Sequence, residues 1–107
     1  MTPLLTVISG GPDTGKSLIA ELLVKEKGCA MVARDLVRPT FGVAVDEGII
    51  TQTLAAMART LLQAGHDVCT VSWNLLPSDR ALWLRIAAET GAACRWVHIE
   101  AIQGKRG

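Results

Sequence analysis

Leu4-Leu5-Thr6-Val7-Ile8-Ser9-Gly10-Gly11-Pro12-Asp13-Thr14-Gly15-Lys16-Ser17 is the stretch whose reading decides the fold. Its first six residues are aliphatic, β-branched or small and are bounded by Pro3 and Gly10, the pattern of a short strand buried on both faces. The remainder satisfies G-x-x-x-x-G-K-[ST] through Gly10, Gly15, Lys16 and Ser17. Glycines in such a loop let backbone N–H groups converge on a phosphate, and the start of the next helix adds partial positive charge. Lys16 then reaches between the β- and γ-phosphates of a nucleoside triphosphate, while the Ser17 hydroxyl ligates Mg2+. The candidate nucleotide-binding residues are therefore Gly10, Gly11, Pro12, Asp13, Thr14, Gly15, Lys16, Ser17 and Leu18. A glycine-rich turn with an exposed lysine would match the same letters, but a strand before and a helix after favour the phosphate loop.

Outward from this loop, residues 15–27 carry Leu18, Ile19, Leu22 and Leu23 at helical spacing, with Lys25 and Lys27 in the last turn and Gly28 as the stop. Cys29-Ala30-Met31-Val32-Ala33 reads as a second strand that delivers Arg34 and Asp35 at its C-terminal end. Val37 to Val45, with Pro39 and Gly42, reads as irregular. A long helix is expected from about Asp46 to Ala64, its stripe made by Ile50, Leu54, Met57, Ala58 and Leu61 and its first turn weakened by Gly48. After Gly65, Asp67 to Ser72 is strand three. Pro77 or Ser78 opens a helix that runs to Thr90, and after Gly91 comes strand four, Ala92 to Ala101. Three helices each end in glycine and each is followed by an apolar strand, the cadence of βαβ crossovers on a parallel sheet. The expected class is a three-layer α/β fold with a parallel four-stranded sheet.

Length and composition set the frame. A chain of 107 residues that is 50% apolar suits one domain, residues 1–107, with a core that needs no staples. A net charge of +1, with acids and bases interspersed, gives no broad basic surface for non-specific nucleic-acid binding. Cys29, Cys69 and Cys94 stand far apart inside apolar runs and read as buried thiols in a reducing compartment. The apolar run at the N-terminus lacks a basic leader and is too short for a signal peptide or a spanning helix. The expectation is a soluble cytoplasmic protein with no membrane partner. Ile102 to Gly107 reads as a loose tail.

Arg34-Asp35-Leu36-Val37-Arg38 falls where a parallel strand ends, on the edge where ligands collect in open α/β sheets. Asp35 could accept the proton of an attacking hydroxyl, and Arg38 could clamp a phosphate on the acceptor. The residues alone equally allow a solvated aspartate capping the next segment beside a surface arginine.

Gly10 to Ser17, then Arg34-Asp35-x-x-Arg38, then Asn74-Leu75-x-Pro77-x-x-Arg80-x-x-Trp83, resembles the kinase domain of phage-type polynucleotide 5′-hydroxyl kinases and the wider zeta-toxin-like, AAA-type family of small P-loop kinases. The likeness runs from Leu4 to about Glu100. It implies strand order 2-3-1-4, Lys16 and Ser17 as ATP and Mg2+ ligands, Asp35 as general base, Arg38 as contact to the acceptor phosphate, and Asn74 beside the site. Lys16, Asp35 and Arg38 form the implied catalytic set, with Asp35, Arg38 and Asn74 on the substrate side. Two departures from the pattern stand out. Ser72 replaces a carboxylate common at the end of strand three, and a lid helix bearing arginines and a base-holding segment would fall beyond Gly107, leaving only Lys105 and Arg106 near the site.

The reading is a kinase that transfers the γ-phosphoryl group to a hydroxyl, foremost the 5′ end of DNA or RNA. Its rivals are a kinase for a nucleoside, nucleotide or sugar, and a non-catalytic nucleotide-binding or assembly module. With no fifth strand expected, strand four would be an exposed edge, which implies a homo-oligomer that covers it. Trp83 reads as core, Trp73 as a candidate for the acceptor site, and His66 and His98 as structural or exposed, His98 being expected far from the loop edge.

Overall fold

A computed structural model describes residues 2–11, 15–72 and 76–99, with the backbone alone at 16 and 17. β1 (Leu4–Ser9), β2 (Ala30–Ala33), β3 (Val68–Ser72) and β4 (Ala93–His98) form one parallel sheet in the order β2-β3-β1-β4. The connecting helices are α1 (Lys16–Lys27), α3 (Glu47–Gln63) and α4 (Pro77–Thr90). A four-residue helix, α2 (Arg34–Val37), and a 3₁₀ turn (Arg38–Thr40) sit between β2 and α3. Parallel strands cannot be joined by hairpins, so each connection crosses the sheet as a helix.

The direction of each crossover sets its face. β1 to β2 steps one way along the sheet, whereas β2 to β3 and β3 to β4 step the other way. With a single handedness, α1 must cover one face and α3 and α4 the opposite one. The core divides accordingly. Ile8 and Cys69 pack with Ala20 of α1 and Cys29 on one face, while Leu5, Val7, Val32 and Val68 pack with Ile50, Leu54, Ala58 and Leu62 of α3 and Trp83 and Ile86 of α4 on the other. Leu5 and Val7 thus face away from Ile8, as the twofold period of a strand requires. Trp83 is core, as its sequence position implied.

Two helical faces differ from the sequence expectation. In α3 the buried stripe is Ile50, Leu54, Ala55, Ala58 and Leu62, while Met57 lies 37% exposed. In α1, Ile19, Ala20 and Leu23 pack inward, and Leu18 and Leu22 are exposed. The 3.6-residue period fits two adjacent stripes when apolar residues crowd a helix, and here the small Ala55 and Ala58 take the inward positions while Met57 lies beside them. Asp46 caps α3, its carboxylate accepting from the Ile49 N–H at 3.0 Å, which offsets the cost of Gly48 in the first turn. α4 begins at Pro77, and Asp79 accepts from the Leu76 N–H at 3.1 Å. Arg59 of α3 and Glu89 of α4 pair at 2.9 Å.

The glycine stops behave as read. Gly28, for one, takes φ 70, a left-handed conformation that costs any other residue but lets its N–H reach back to Leu23 and Val24. Cys29 and Cys69 are buried and Cys94 half-buried, all three as free thiols. A hydrogen bond to the Cys69 side chain, and then burial, push the Cys29 thiol far up from its ordinary range. Burial alone pushes Cys94 up. Among the described residues no helix is long and apolar enough to cross a membrane.

Candidate nucleotide and acceptor site

All four strands run the same way, so their C-terminal ends gather at one edge. Ser9 lies in register with Ser72 of β3 on one side and His98 of β4 on the other. The Gly10 N–H donates to Ser72 O at 3.2 Å and the Ile99 N–H donates to Ser9 O at 2.9 Å. The chain therefore leaves β1 for the Gly10–Ser17 loop while still fastened to both neighbouring strands. Beside it, Ser9 Oγ and His98 Nδ1 are 2.9 Å apart, with Ser9 buried. This corrects the expectation for His98, which lies at the loop edge itself. The register explains it: β1 and β4 are both six residues long and start level at Leu4 and Ala93.

Gly15 returns the chain from the loop into α1. Its φ of 85 and ψ of 12 are left-handed, a conformation for which glycine is the ready choice. Among the described residues no side chain caps α1, and its first turn holds no acidic residue. The amide groups at this helix start and the positive end of the dipole suit an anion. Leu18, 60% exposed, offers its backbone N–H there and not its side chain to the core.

At the end of β2 the chain turns into α2, a helical turn the sequence reading did not place; of the segment read as irregular, Val37 closes α2, Arg38–Thr40 form the 3₁₀ turn and 41–45 are irregular as expected. Arg38 N–H bonds Arg34 O, and Pro39 sits early in the 3₁₀ turn, where its missing N–H is harmless. Asp35 lies exposed in the first turn of α2, whose cap position is Ala33 without any side-chain bond. It caps nothing, and among the described residues it has no hydrogen-bond or salt-bridge partner. Arg38 is fastened: Nη1 donates to Val45 O at 2.9 Å and Nε lies 3.4 Å from Glu47 Oε2. Arg34 Nη1 meets Glu47 Oε1 at 2.6 Å, and Arg34 Nη2 donates to the Thr51 hydroxyl. Glu47, Thr51 and the Val45 carbonyl had no sequence signal beyond Glu47 standing in the first turn of a capped helix.

Over residues 5–105 the sequence matches the family described as AAA domain. The chain belongs to this AAA-domain family. No curated protein matches it. Among solved structures, a provisionally assigned kinase from Chloroflexus aurantiacus is 18% identical, with a TM-score of 0.78 over 92% of this chain and 59% of that one. A chain of the Pnkp1/Rnl/Hen1 RNA repair complex is 25% identical, with a TM-score of 0.74 over 91% of this chain and 33% of that one. The Mycobacterium tuberculosis APS kinase CysC in complex with AMPPNP and APS is 24% identical, with a TM-score of 0.69 over 91% of this chain and 62% of that one. The chain thus spans less than two thirds of each of these three.

The AAA-domain fold brings part of the expected site together. Gly10, Gly11 and Gly15 and the start of α1 share the sheet edge with the ends of β3 and β4, and Asp35 and Arg38 follow the end of β2 on that edge. Pro12, Asp13, Thr14, Trp73, Asn74, Lys105 and Arg106 lie outside the described residues, as do the side chains of Lys16 and Ser17. Ser72, where the family resemblance led us to expect a carboxylate, supplies its carbonyl to Gly10.

Proposed function

We propose that the chain is a single P-loop kinase domain, residues 1–107, that transfers the γ-phosphoryl group of ATP to a hydroxyl acceptor, foremost the 5′-hydroxyl of DNA or RNA. The observation that carries the nucleotide half is the start of α1: a left-handed Gly15, no side-chain cap among the described residues and no acidic residue in the first turn. An anion-ready helix start following G-x-x-x-x-G-K-[ST] fits a polyphosphate. The likeness to a kinase structure holding AMPPNP supports the same reading. Bound ATP supplies the phosphoryl group, and Mg2+ neutralises charge on its phosphates.

The chain's own residues divide the remaining work. Gly11, Asp13, Thr14, Gly15 and Leu18 line the phosphates with backbone N–H groups, Gly10 and Pro12 shape the loop between them, Lys16 sets a positive charge against the β- and γ-phosphates, and Ser17 is the Mg2+ ligand. Asp35 has an uncommitted carboxylate and accepts the proton of the attacking hydroxyl. Arg38, fastened through Nε and Nη1, grips a phosphate on the acceptor. Asn74 completes the acceptor side. The choice of a polynucleotide end rests on the Asp-x-x-Arg resemblance and on the likeness to a chain of an RNA repair complex. The chain acts in the cytoplasm, where ATP is held and free thiols persist.

Labelled ATP offered with Mg2+ to a 5′-hydroxyl oligonucleotide, a mononucleotide, a nucleoside and a sugar tests the proposal. Label on the oligonucleotide at the highest kcat/KM is the expected result. Preference for a small acceptor would move the assignment to a small-molecule kinase. Nucleotide binding without transfer to any of them would make the chain a binding module.

A further inference from the structure

We infer that Glu47 is a positioning residue for the acceptor side, a carboxylate bridge that fixes the Arg38 guanidinium so that its remaining N–H groups meet the acceptor phosphate. The inference rests on the proposed roles of Asp35 and Arg38 and adds to them a residue that touches neither nucleotide nor acceptor.

α2 cannot place Arg38 unaided. It is four residues long and buries none of them, and a single helical turn is unstable on its own. Val37, Phe41 and Val45 anchor the segment on the core but leave the arginine side chains to be oriented. Arg34 and Arg38 are four apart, and two like charges at that spacing repel. Glu47 resolves this from a rigid platform. It stands in the first turn of the 17-residue α3, where the helix start favours a carboxylate and the Asp46 cap fixes the backbone. Its Oε1 takes Arg34 Nη1 at 2.6 Å and its Oε2 faces Arg38 Nε at 3.4 Å. Arg34 is held again through Thr51 and Arg38 again through Val45 O.

Of the three Arg38 nitrogens, Nε and Nη1 are engaged and Nη2 has no partner among the described residues. The triad of two arginines and one glutamate keeps a net positive charge, so it still attracts a phosphate. Magnitude decides between an orienting and a stabilising role. The three side chains are 38%, 33% and 64% exposed, and ion pairs this open to water contribute little to stability. Loss of the bridge is therefore expected to register in acceptor binding and hardly in folding.

The test is steady-state transfer from ATP by the full chain to two acceptors: a 5′-hydroxyl dinucleotide, which carries a phosphate, and the corresponding nucleoside, which does not. Glu47→Gln is expected to raise KM for the dinucleotide roughly 10-fold, as a misplaced positioning group does, with kcat, KM for ATP, nucleoside transfer and the unfolding midpoint essentially unchanged. Glu47→Asp, still charged, recovers part of the loss. In an Arg38→Ala background, Glu47→Gln adds nothing further, because both changes act through one guanidinium. An unchanged dinucleotide KM, an equal loss on both acceptors, or additive effects with Arg38→Ala would each overturn the inference. Wild-type protein that transfers to neither acceptor would instead overturn the kinase reading beneath it, a failure visible before any variant is made.

Discussion

His98 Nδ1 and Ser9 Oγ lie 2.9 Å apart, tying the last residue of β4 to the last residue of β1 at the point where the chain enters the phosphate loop. The contact joins positions 89 residues apart in sequence. Ser9 is buried, and its side chain is committed to this contact beside a loop whose backbone must hold its shape to bind phosphate.

Removing that partner should therefore be felt in both stability and binding. His98→Ala is expected to destabilise the fold by about 1–3 kcal/mol, the usual cost of leaving a buried hydroxyl unpaired. ATP affinity should fall by a few-fold as the loop's root loosens. Urea unfolding and calorimetry with MgATP measure the two effects. Ser9→Ala in the His98→Ala background should recover part of the stability, because no orphaned hydroxyl remains, and no recovery would show that the contact is incidental.

On the chemical side, Lys16 and Asp35 are expected to separate cleanly. Lys16→Ala should abolish measurable ATP binding while leaving the unfolding midpoint in place, since a charge aimed at the β- and γ-phosphates is lost. Asp35→Asn should bind ATP like the wild type and lower kcat by about 10²-fold or more, as removal of a general base does. Its carboxylate holds up no other described group, so no structural loss confuses the result. Full turnover by Asp35→Asn across the pH range would end its assignment as the base.

The two possible stripes of α3 give a test of packing. Leu62→Ala, at a side chain 1% exposed, is expected to cost about 2–5 kcal/mol, the transfer loss plus an unfilled cavity. Met57→Ala, at a side chain 37% exposed, should cost less than half as much, because much of the thioether already meets water. Equal losses in denaturant unfolding would restore the stripe through Met57 that the sequence pattern favours.

The sequence made the architecture legible because its signals were local. A phosphate-loop pattern between a strand and a helix, and Gly28, Gly65 and Gly91 before apolar runs, fixed the alternation of elements, and all three glycines have positive φ. What it left unread depends on partners distant in the chain. The place of His98 follows from the β1–β4 register, which no residue near it announces. The bridge by Glu47 follows from α3 packing beside α2, and Glu47 alone looks like any acid in a first helical turn. α2 itself was obscured by Pro39, which reads as a breaker until it is seen to occupy the start of a 3₁₀ turn.

The outer edge of β4 carries the last prediction. β4 pairs with β1 alone among the described strands, so one row of its backbone N–H and C=O groups faces no strand. Open edges of this kind recruit another chain unless something blunts them. Arg95 turns back to donate to Thr6 Oγ1 at 3.3 Å, and His98 is drawn to Ser9, so neither charged nor polar side chain is committed to guarding the edge. Trp96, 37% exposed and overlain by Arg80 at 5.8 Å, leaves aromatic surface beside it. The 107-residue chain is therefore expected to self-associate at micromolar concentration, with β4 at the contact. Light scattering should give a mass near twice that of one chain, and Trp96→Asp should return it to the monomer while leaving the unfolding midpoint within a few degrees. A wild-type chain that stays monomeric at the highest soluble concentration would refute the contact, and a dimer indifferent to Trp96→Asp would place it elsewhere on the molecule.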